Sequence, residues 1–218
     1  MIGYWGHYEE IVNTKNNEDI SYFVFEKGKC PEKLLKYVIE KEASYYFVQS
    51  QKEMLEVIKA NPVPEITLVG SFGLIFTGEM IDELNDSIIN IHPGILPNYR
   101  GRHPLPQAII NQEKFMGITA HRLTEQIDKG DIIEIRSTII DYGRSYLENV
   151  NRLYSLLPDL IDYTVEKYKK KYLPIIINDI NEKYYKPLND DIFSKIINSK
   201  KLIDIFDIKE SFYEKNCD

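Results

Sequence analysis

Residues 90–101 read Asn-Ile-His-Pro-Gly-Ile-Leu-Pro-Asn-Tyr-Arg-Gly and directly follow the apolar pair Ile88-Ile89. An apolar run that ends at prolines and glycines is typical of a buried strand leaving the sheet as a loop. Side chains two residues apart in a strand point to the same side, so the Asn90 amide and the His92 imidazole face one direction. Open α/β sheets bind ligands just beyond strand ends of this kind. The stretch predicts a site that combines a hydrogen-bond donor with a proton carrier.

Strand patterns alternate with helical patterns on both sides of this stretch. Strands are predicted at residues 20–25, 46–48, 66–70 and 88–91, and helices at about 31–45, 51–59 and 105–111. Two further strands, 117–123 and 132–138, are separated by a short connection, which predicts an antiparallel pair. Strands joined by helices of this length form right-handed crossovers. The predicted class is a Rossmann-like α/β fold: a mostly parallel sheet with helices on both faces.

The start of the chain follows this pattern less closely. Residues 1–6 are compatible with a first strand, but residues 13–17 read as a turn and not as a crossover helix. No Gly-x-Gly-x-x-Gly motif or phosphate-binding loop of the Lys-Ser/Thr type is present in the sequence.

The C-terminal part reads as a long helix followed by a small helical and strand tail. Ser145 and Glu148 form a capping box, and Pro158 is expected to kink or split the helix. A strand at 174–177 and a helix at 190–198 capped by Asn189 follow. We therefore expect a catalytic domain of residues 1–168 and a C-terminal extension, residues 169–218, that packs on the core.

Length, charge and cysteine content limit the function classes. A chain of 218 residues fits one domain with a tail, and its net charge of −7 argues against nucleic acid or an anionic membrane surface as a general partner. Only Cys30 and Cys217 are present, which favours a reducing compartment. No secretion signal is visible, and no apolar run approaches the roughly 18 residues of a membrane span. A cytoplasmic location is expected.

A second motif lies downstream. Residues 117–121 read Gly-Ile-Thr-Ala-His, and residues 125–131 read Glu-Gln-Ile-Asp-Lys-Gly-Asp, with Asp128 at the centre. The stretch at 90–101 resembles Asn-x-His-Pro-x-Leu-Leu-Pro-x-Tyr-Arg-Gly, the signature of the folate-dependent formyltransferases. The downstream motif resembles their second element, a His-bearing strand leading into Asp-x-Gly-x-Ile. The resemblance covers residues 66–145 well, the preceding residues in architecture only, and the tail loosely.

The resemblance implies transfer of a formyl group from N10-formyltetrahydrofolate to an amine. Attack of the amine on the formyl carbon creates an oxyanion, which the Asn90 amide is expected to stabilise. The amine must lose a proton and the folate N10 must gain one, and His92 is expected to relay it. Asp128 is expected to hold His92 in position or to accept the proton through a water.

The resemblance also suggests where the folate binds. Residues 71–76 read Ser-Phe-Gly-Leu-Ile-Phe and resemble the family's Gly-Phe/Tyr-x-x-Ile-Leu segment, whose backbone and apolar side chains hold the pterin. The residues expected to bind the folate are Phe72, Gly73, Leu74, Ile75, Leu96, Pro97, Ile127 and Asp131. Plain core packing is the alternative for Phe72 and Leu74.

Further residues near the two motifs are expected to contact the acceptor substrate: Tyr99, Arg100, His103 and His121. His121 shares a strand face with Thr119, and a packed core histidine is the alternative. No metal is expected, because His92, His103 and His121 match no common zinc spacing and have no cysteine nearby.

Members of this family transfer the formyl group to different amines. The methionyl-tRNA enzyme carries a further C-terminal barrel for which this tail is too short, and an acidic chain suits tRNA poorly. The glycinamide ribonucleotide enzyme has a glycine-serine loop that residues 1–17 lack, and formyltetrahydrofolate hydrolase has an N-terminal regulatory domain that this sequence lacks. By elimination, we expect the amine of a dTDP- or GDP-linked amino-deoxysugar and, as is common in that group, a homodimer.

An alternative of a different class is a non-catalytic folate- or nucleotide-binding relative, suggested by the abbreviated first βα unit. The intact set of Asn90, His92 and Asp128 favours the enzyme. These motifs concern the formyl donor, so they do not identify the sugar, the nucleotide or the position of the amine.

Overall fold

A computed structural model describes residues 1–171 and 182–206 of the chain. The described strands are β1 (Ile2–Gly6), β2 (Ile20–Glu26), β3 (Ser44–Val48), β4 (Ile66–Gly70), β5 (Ile88–His92), β6 (Arg100–Gly101), β7 (Phe115–Arg122), β8 (Ile132–Ile139) and β9 (Tyr184–Tyr185). The α-helices are α1 (Glu32–Glu40), α2 (Gln51–Ala60), α3 (Gly78–Glu83), α4 (Pro104–Ile110), α5 (Tyr146–Tyr154), α6 (Leu157–Lys169) and α7 (Asp190–Ile197). The strand predicted at 174–177 lies outside the described residues.

Seven of these strands form one sheet in the order β3-β2-β1-β4-β5-β7-β8. The pairs β1–β2, β2–β3, β1–β4 and β4–β5 are parallel, and β5–β7 is antiparallel. The strand order reverses between β1 and β4, which is where open α/β sheets place their ligands. The predicted Rossmann-like, mostly parallel sheet is confirmed. β6 and β9 form a separate parallel pair.

The described residues fall into two compact units. The first comprises Met1–His92, Thr119–Ile135 and residues 157–171, and the second comprises Pro93–Ile118, Arg136–Leu156 and residues 182–206. The sequence predicts a different division, into a catalytic domain of residues 1–168 and a C-terminal extension. That division stays a prediction.

The core of the first unit forms around β1, all five residues of which are buried. Such continuous burial is typical of a central parallel strand covered on both faces. The fully buried Trp5 ring packs edge-on against Phe72 at 5.7 Å and Phe76 at 5.3 Å between centroids. β1 and the segment after β4 are thereby packed together.

Two local predictions differ in outcome. The link from β1 to β2 contains short 3-10 turns at Glu9–Asn13 and Asn17–Asp19, so the prediction that it holds no crossover helix is confirmed. The helix predicted over residues 31–45 is too long, because α1 ends at Glu40. Glu42 takes a left-handed conformation with φ of 53°, and β3 begins at Ser44 in order to pair with β2. Strand pairing here overrides helical periodicity.

The predicted split of the long helix is confirmed. The capping box of Ser145 and Glu148 begins α5, and Pro158 lies in the first turn of α6, where its missing N–H costs no hydrogen bond. α7 is capped by the Asn189 side chain, which accepts from the Asp191 amide, as predicted. No helix in residues 1–171 or 182–206 is long and apolar enough to cross a membrane.

The loop before α5 depends on one buried amide, which generates a first prediction. The fully buried Asn149 accepts from the Asp141 amide and donates to the Asp141 and Ser145 carbonyls, each at 2.9 Å. Substitution Asn149→Ala leaves the Asp141 amide without its acceptor, whereas the Asp141 and Ser145 carbonyls still accept from the backbone amides of Arg144 and residue 149. The free energy of unfolding is therefore expected to fall by roughly 1–3 kcal/mol. Urea unfolding followed by circular dichroism measures this change.

The matched control is Asn151→Ala on the exposed side of the same helix. It is expected to change the unfolding free energy by less than about 0.5 kcal/mol. Equal effects of the two substitutions would contradict the anchoring role of Asn149.

Candidate active site

Two neighbouring strands bring three polar side chains to one face of the sheet. Asn90 and His92 are alternate residues of β5, and antiparallel β7 places His121 opposite Asn90 and Thr119 opposite His92. Cross-strand partners in this register project to the same side. His121 therefore lies on the same face as Asn90 and His92, and its predicted contact with substrate stays a prediction.

The Asn90–His121 contact has a defined direction. The His121 Nδ1 lies 2.8 Å from the Arg122 carbonyl oxygen, which only accepts, so in the neutral ring Nδ1 carries the proton. Nε2 is then an acceptor, and it lies 3.1 Å from the Asn90 Nδ2. One hydrogen of the Asn90 amide is held by His121. The other points to Asp128 over a longer distance of 3.5 Å, which suits a donor that a substrate oxygen can recruit.

Asp128 lies between the two histidines. Its Oδ2 is 3.5 Å from the His92 Nδ1, and its Oδ1 is 3.6 Å from the His121 Nε2. The side chains of His92, His121 and Asp128 are only 5%, 2% and 10% exposed. Electrostatic interactions are strengthened where water is largely excluded. The carboxylate is therefore placed to interact with charge that develops in this cluster.

The Asp128 loop has its own backbone requirements. Asp128 adopts a left-handed conformation with φ of 53°, which Asp and Asn tolerate better than most residues. A Cβ atom at Gly130 would lie 1.8 Å from the Arg122 carbonyl oxygen and 3.2 Å from the Thr124 Cγ2. Only glycine allows this close approach. Gly130 thus sets the path of the loop that presents Asp128.

Sequence reasoning missed Arg122 as a part of this site. Its carbonyl orients His121, and its amide donates to the Asp131 carbonyl at 2.9 Å, which closes the loop. Both are main-chain groups, so no side-chain pattern in the sequence indicates them.

The predicted folate segment follows β4 in the first unit. Phe72 and Leu74 are partly buried and pack on the aromatic core, while the Ile75 side chain is 61% exposed. The Gly73 amide donates to the Glu26 carboxylate at 2.6 Å. In the Asp128 loop, Ile127 and Asp131 are exposed. The role of these residues in donor binding stays a prediction.

Leu96 and Pro97 belong to the second unit and are joined by a cis peptide bond. Leu96 is buried and Pro97 is partly buried. Their predicted role in donor binding is untested.

Tyr99, predicted to contact substrate, has close partners within the second unit. Its hydroxyl donates to Glu113 at 2.6 Å and accepts from Asn111 at 3.3 Å, and its ring stacks on Tyr185 at 5.3 Å between centroids. Burial and the Glu113 carboxylate raise the pKa of Tyr99. This hydroxyl is therefore neutral, and it is engaged in a structural network.

His103 and Arg100 also have partners from the tail. The His103 ring stacks on Phe193 at 4.1 Å, and its Nδ1 accepts from the Leu188 amide at 3.2 Å. Burial, followed by the charge of Arg102, lowers the pKa of His103. Arg100 pairs with Glu182 at 3.2 Å. These contacts link β6, through Arg100, and the following His103 to the tail. A contact of either side chain with substrate stays a prediction.

No group of three or more His, Cys, Asp or Glu side chains suited to hold a metal ion occurs in the described part of the chain. The expectation of a metal-free site stays a prediction.

The steric limit at Gly130 generates a second prediction. Substitution Gly130→Ala forces the Asp128 loop away from Arg122 and is expected to lower the free energy of unfolding by about 1–3 kcal/mol, as overpacking does. Thermal or urea unfolding measures the loss. Gly143→Ala is the control, because a Cβ there meets only the Asp141 carboxylate at 3.3 Å. A Gly130→Ala variant as stable as the control would contradict the close packing of this loop.

Comparison with known proteins gives a consistent picture at the level of the family. Residues 12–156 match the family model described as "Formyl transferase". The methionyl-tRNA formyltransferase of Borrelia garinii subsp. bavariensis is 37% identical over 114 residues, which are 51% of this chain and 36% of that enzyme. The match thus spans little more than a third of that relative's length.

Solved structures of low sequence identity share the fold. Phosphoribosylglycinamide formyltransferase from Bacillus halodurans has a TM-score of 0.68 at 18% identity, over 78% of this chain and 95% of that one. An N-formyltransferase from Helicobacter canadensis, solved with folinic acid and dTDP-3-aminofucose, has a TM-score of 0.67 at 17% identity, over 84% and 70%.

The family match covers well over half of the chain and includes both motifs from which Asn90, His92 and Asp128 were identified. The chain therefore belongs to the formyl transferase family, whose formyl donor is N10-formyltetrahydrofolate.

Proposed function

We propose that this protein transfers the formyl group of N10-formyltetrahydrofolate to the amine of a nucleotide-linked amino-deoxysugar. The observation that carries the proposal is the convergence of Asn90 and His92 on Asp128, whose carboxylate lies 3.5 Å from the Asn90 Nδ2 and 3.5 Å from the His92 Nδ1. The cluster combines a hydrogen-bond donor, an imidazole and a carboxylate, which are the groups that formyl transfer needs.

In the proposed reaction, the acceptor amine attacks the formyl carbon and a new C–N bond forms. The carbonyl electron pair moves to oxygen, which becomes an oxyanion. The Asn90 amide is well suited to this charge, since its second hydrogen is held only over 3.5 Å by Asp128. A preorganised donor of this kind contributes roughly 3–4 kcal/mol to a transition state.

Collapse of the intermediate breaks the bond from the formyl carbon to the folate N10. The attacking nitrogen must release a proton, and N10 must gain one. His92 takes the proton from the nitrogen and returns it to N10, while Asp128, 3.5 Å away, stabilises the transient imidazolium. In this account His121 is a positioning residue, because its Nε2 accepts from Asn90.

Two observations support a sugar-nucleotide acceptor. The structural neighbour from H. canadensis was solved with folinic acid and dTDP-3-aminofucose, and the similarity to it covers 84% of this chain. The net charge of −7 gives no long-range attraction for the many phosphates of a tRNA. The predicted homodimer and the predicted cytoplasmic location belong to the same proposal.

A second candidate acceptor is the amine of methionyl-tRNA. The 37% identity to the Borrelia enzyme favours it, although the match spans 36% of that enzyme. The two candidates differ in a simple test, since one acceptor is a small nucleotide sugar and the other is a charged tRNA.

The third prediction concerns the acceptor. Purified protein is expected to convert N10-formyltetrahydrofolate to tetrahydrofolate only when a dTDP- or GDP-linked amino sugar is present, and mass spectrometry is expected to show that sugar gaining one formyl group. Parallel reactions contain UDP-linked amino sugars, glycinamide ribonucleotide, methionyl-tRNA, or no amine. Turnover with only methionyl-tRNA or glycinamide ribonucleotide would overturn the sugar proposal. Folate release without any amine would indicate a hydrolase.

The fourth prediction concerns the oxyanion. Substitution Asn90→Ala removes the donor and is expected to lower kcat by about 10²–10³-fold, with a smaller change in KM for the donor. Asn90→Asp, which keeps the shape but cannot donate when ionised, is expected to lose as much. The exposed Asn151→Ala serves as the neutral control. Wild-type turnover by Asn90→Ala would contradict the assigned role.

A further inference from the structure

A second buried polar cluster lies at the carboxyl ends of β1, β2 and β4, apart from the cluster around Asn90. Its centre is His7, which directly follows β1. The His7 backbone amide donates a hydrogen bond to the Gly70 carbonyl at 3.0 Å. The His7 ring stacks between Phe25 and Phe72, with centroid distances of 6.4 and 6.1 Å and interplanar angles of 29° and 19°. One ring therefore connects three strand ends.

The Glu26 carboxylate, at the end of β2, binds the backbone of the segment that follows β4. Its Oε1 accepts from the Gly73 amide at 2.6 Å and lies 3.3 Å from the His7 Nε2. Its Oε2 accepts from Lys29 at 2.6 Å. Burial raises the pKa of Glu26, but the hydrogen bonds from Lys29, Gly73 and His7 together hold it below its usual range. The carboxylate is thus ionised at neutral pH, and its bond to the Gly73 amide is charge-assisted.

Histidine at position 7 offers a contact with Glu26 that an apolar ring could not make. Burial lowers the pKa of His7 even though Glu26 opposes the change, so the ring is neutral at physiological pH. Its Nδ1 is buried and has no hydrogen-bond partner within the described residues. A phenylalanine would fill the stack without that orphaned nitrogen, which costs roughly 1–3 kcal/mol. The contact between Nε2 and Glu26 is what a phenylalanine would lack.

The segment held in this way has little regular structure of its own. Residues 71–77 lie between β4 and α3 outside any strand or helix, and Ser71 takes a left-handed conformation with φ of 55°. A Cβ at Gly73 would meet the Glu26 carboxylate and the Lys29 amine at 3.2 Å, so the backbone sits tightly on this pair. A loop that is fixed before binding gives up less entropy when a ligand arrives.

We infer that His7 and Glu26 are positioning residues that preform the Phe72–Gly73 backbone for the formyl donor. The inference rests on the proposed function, which assigns residues 71–76 to folate binding. Neither residue needs to touch the folate or the reacting atoms: Glu26 acts through the Gly73 amide, and His7 acts through the Phe72 ring.

The test measures binding of folinic acid as an unreactive probe, by calorimetry, together with KM for the donor and kcat. Glu26→Ala is expected to weaken folinic acid binding about tenfold and to raise KM for the donor similarly, with kcat at saturating donor within about threefold of wild type. Glu26→Gln, which keeps an acceptor for the Gly73 amide, is expected to recover a part of that loss. His7→Phe keeps the stack and is expected to weaken binding less than His7→Ala.

The control is Lys33→Ala, an exposed residue of α1 whose amine lies 3.9 Å from Glu9. Circular dichroism and thermal unfolding of each variant show that it is folded. If Glu26→Ala does not fold, Glu26→Gln and His7→Phe carry the test.

The outcomes separate this inference from the proposed function. Folded Glu26 and His7 variants that bind folinic acid like wild type would overturn the positioning role and leave the proposed function intact. A rise in KM for the acceptor alone would also overturn it. Failure of the wild-type protein to bind folinic acid would contradict the proposed function itself, and the positioning role with it.

Discussion

The hydrogen bond between Asn90 and His121 is the interaction on which the site depends. It exists because β7 runs antiparallel to β5 in a register that sets the two residues opposite one another. The Arg122 carbonyl fixes the tautomer of His121, so its Nε2 takes one hydrogen of the Asn90 amide and orients the other.

Asp128 adds the electrostatic part of the site from a loop instead of a strand. The loop returns to the strand ends because Gly130 packs directly on the Arg122 backbone and Asp128 takes a left-handed conformation. The carboxylate then lies within 3.6 Å of His121 and 3.5 Å of His92. The strands thus supply the amide donor and the imidazole, and the loop supplies the carboxylate beside them.

The sequence predicts the parts that depend on local pattern. Runs of apolar, β-branched and aromatic residues are sufficient to predict β2, β4 and β5, and the spacing of Asn90 and His92 correctly places them on one face. Asp128 is indicated only by its motif, since no periodicity brings a loop residue to a strand end. The predicted end of α1 is wrong, because the helix-forming residues Lys41, Glu42 and Ala43 follow Glu40 in sequence, whereas the backbone leaves the helix so that Ser44 and Tyr45 can pair with β2.

Long-range contacts that no motif indicates could not be predicted. The partners of His103, Leu188 and Phe193, come from a tail that is 85 and 90 residues away, and no local signal joins them. Glu26 and Gly73 are separated by 47 residues and meet only because β1 lies between β2 and β4. Sheet order, not residue pattern, determines these pairs.

The central claim is that the cluster around Asp128 performs formyl transfer. The most direct measurement is single-turnover transfer of a labelled formyl group by wild type and by Asp128→Asn, which removes the charge but tolerates the left-handed conformation of this position. We predict a loss of at least about 10²-fold in the transfer rate, with folinic acid binding unchanged. Transfer at the wild-type rate by a folded Asp128→Asn protein would contradict the account.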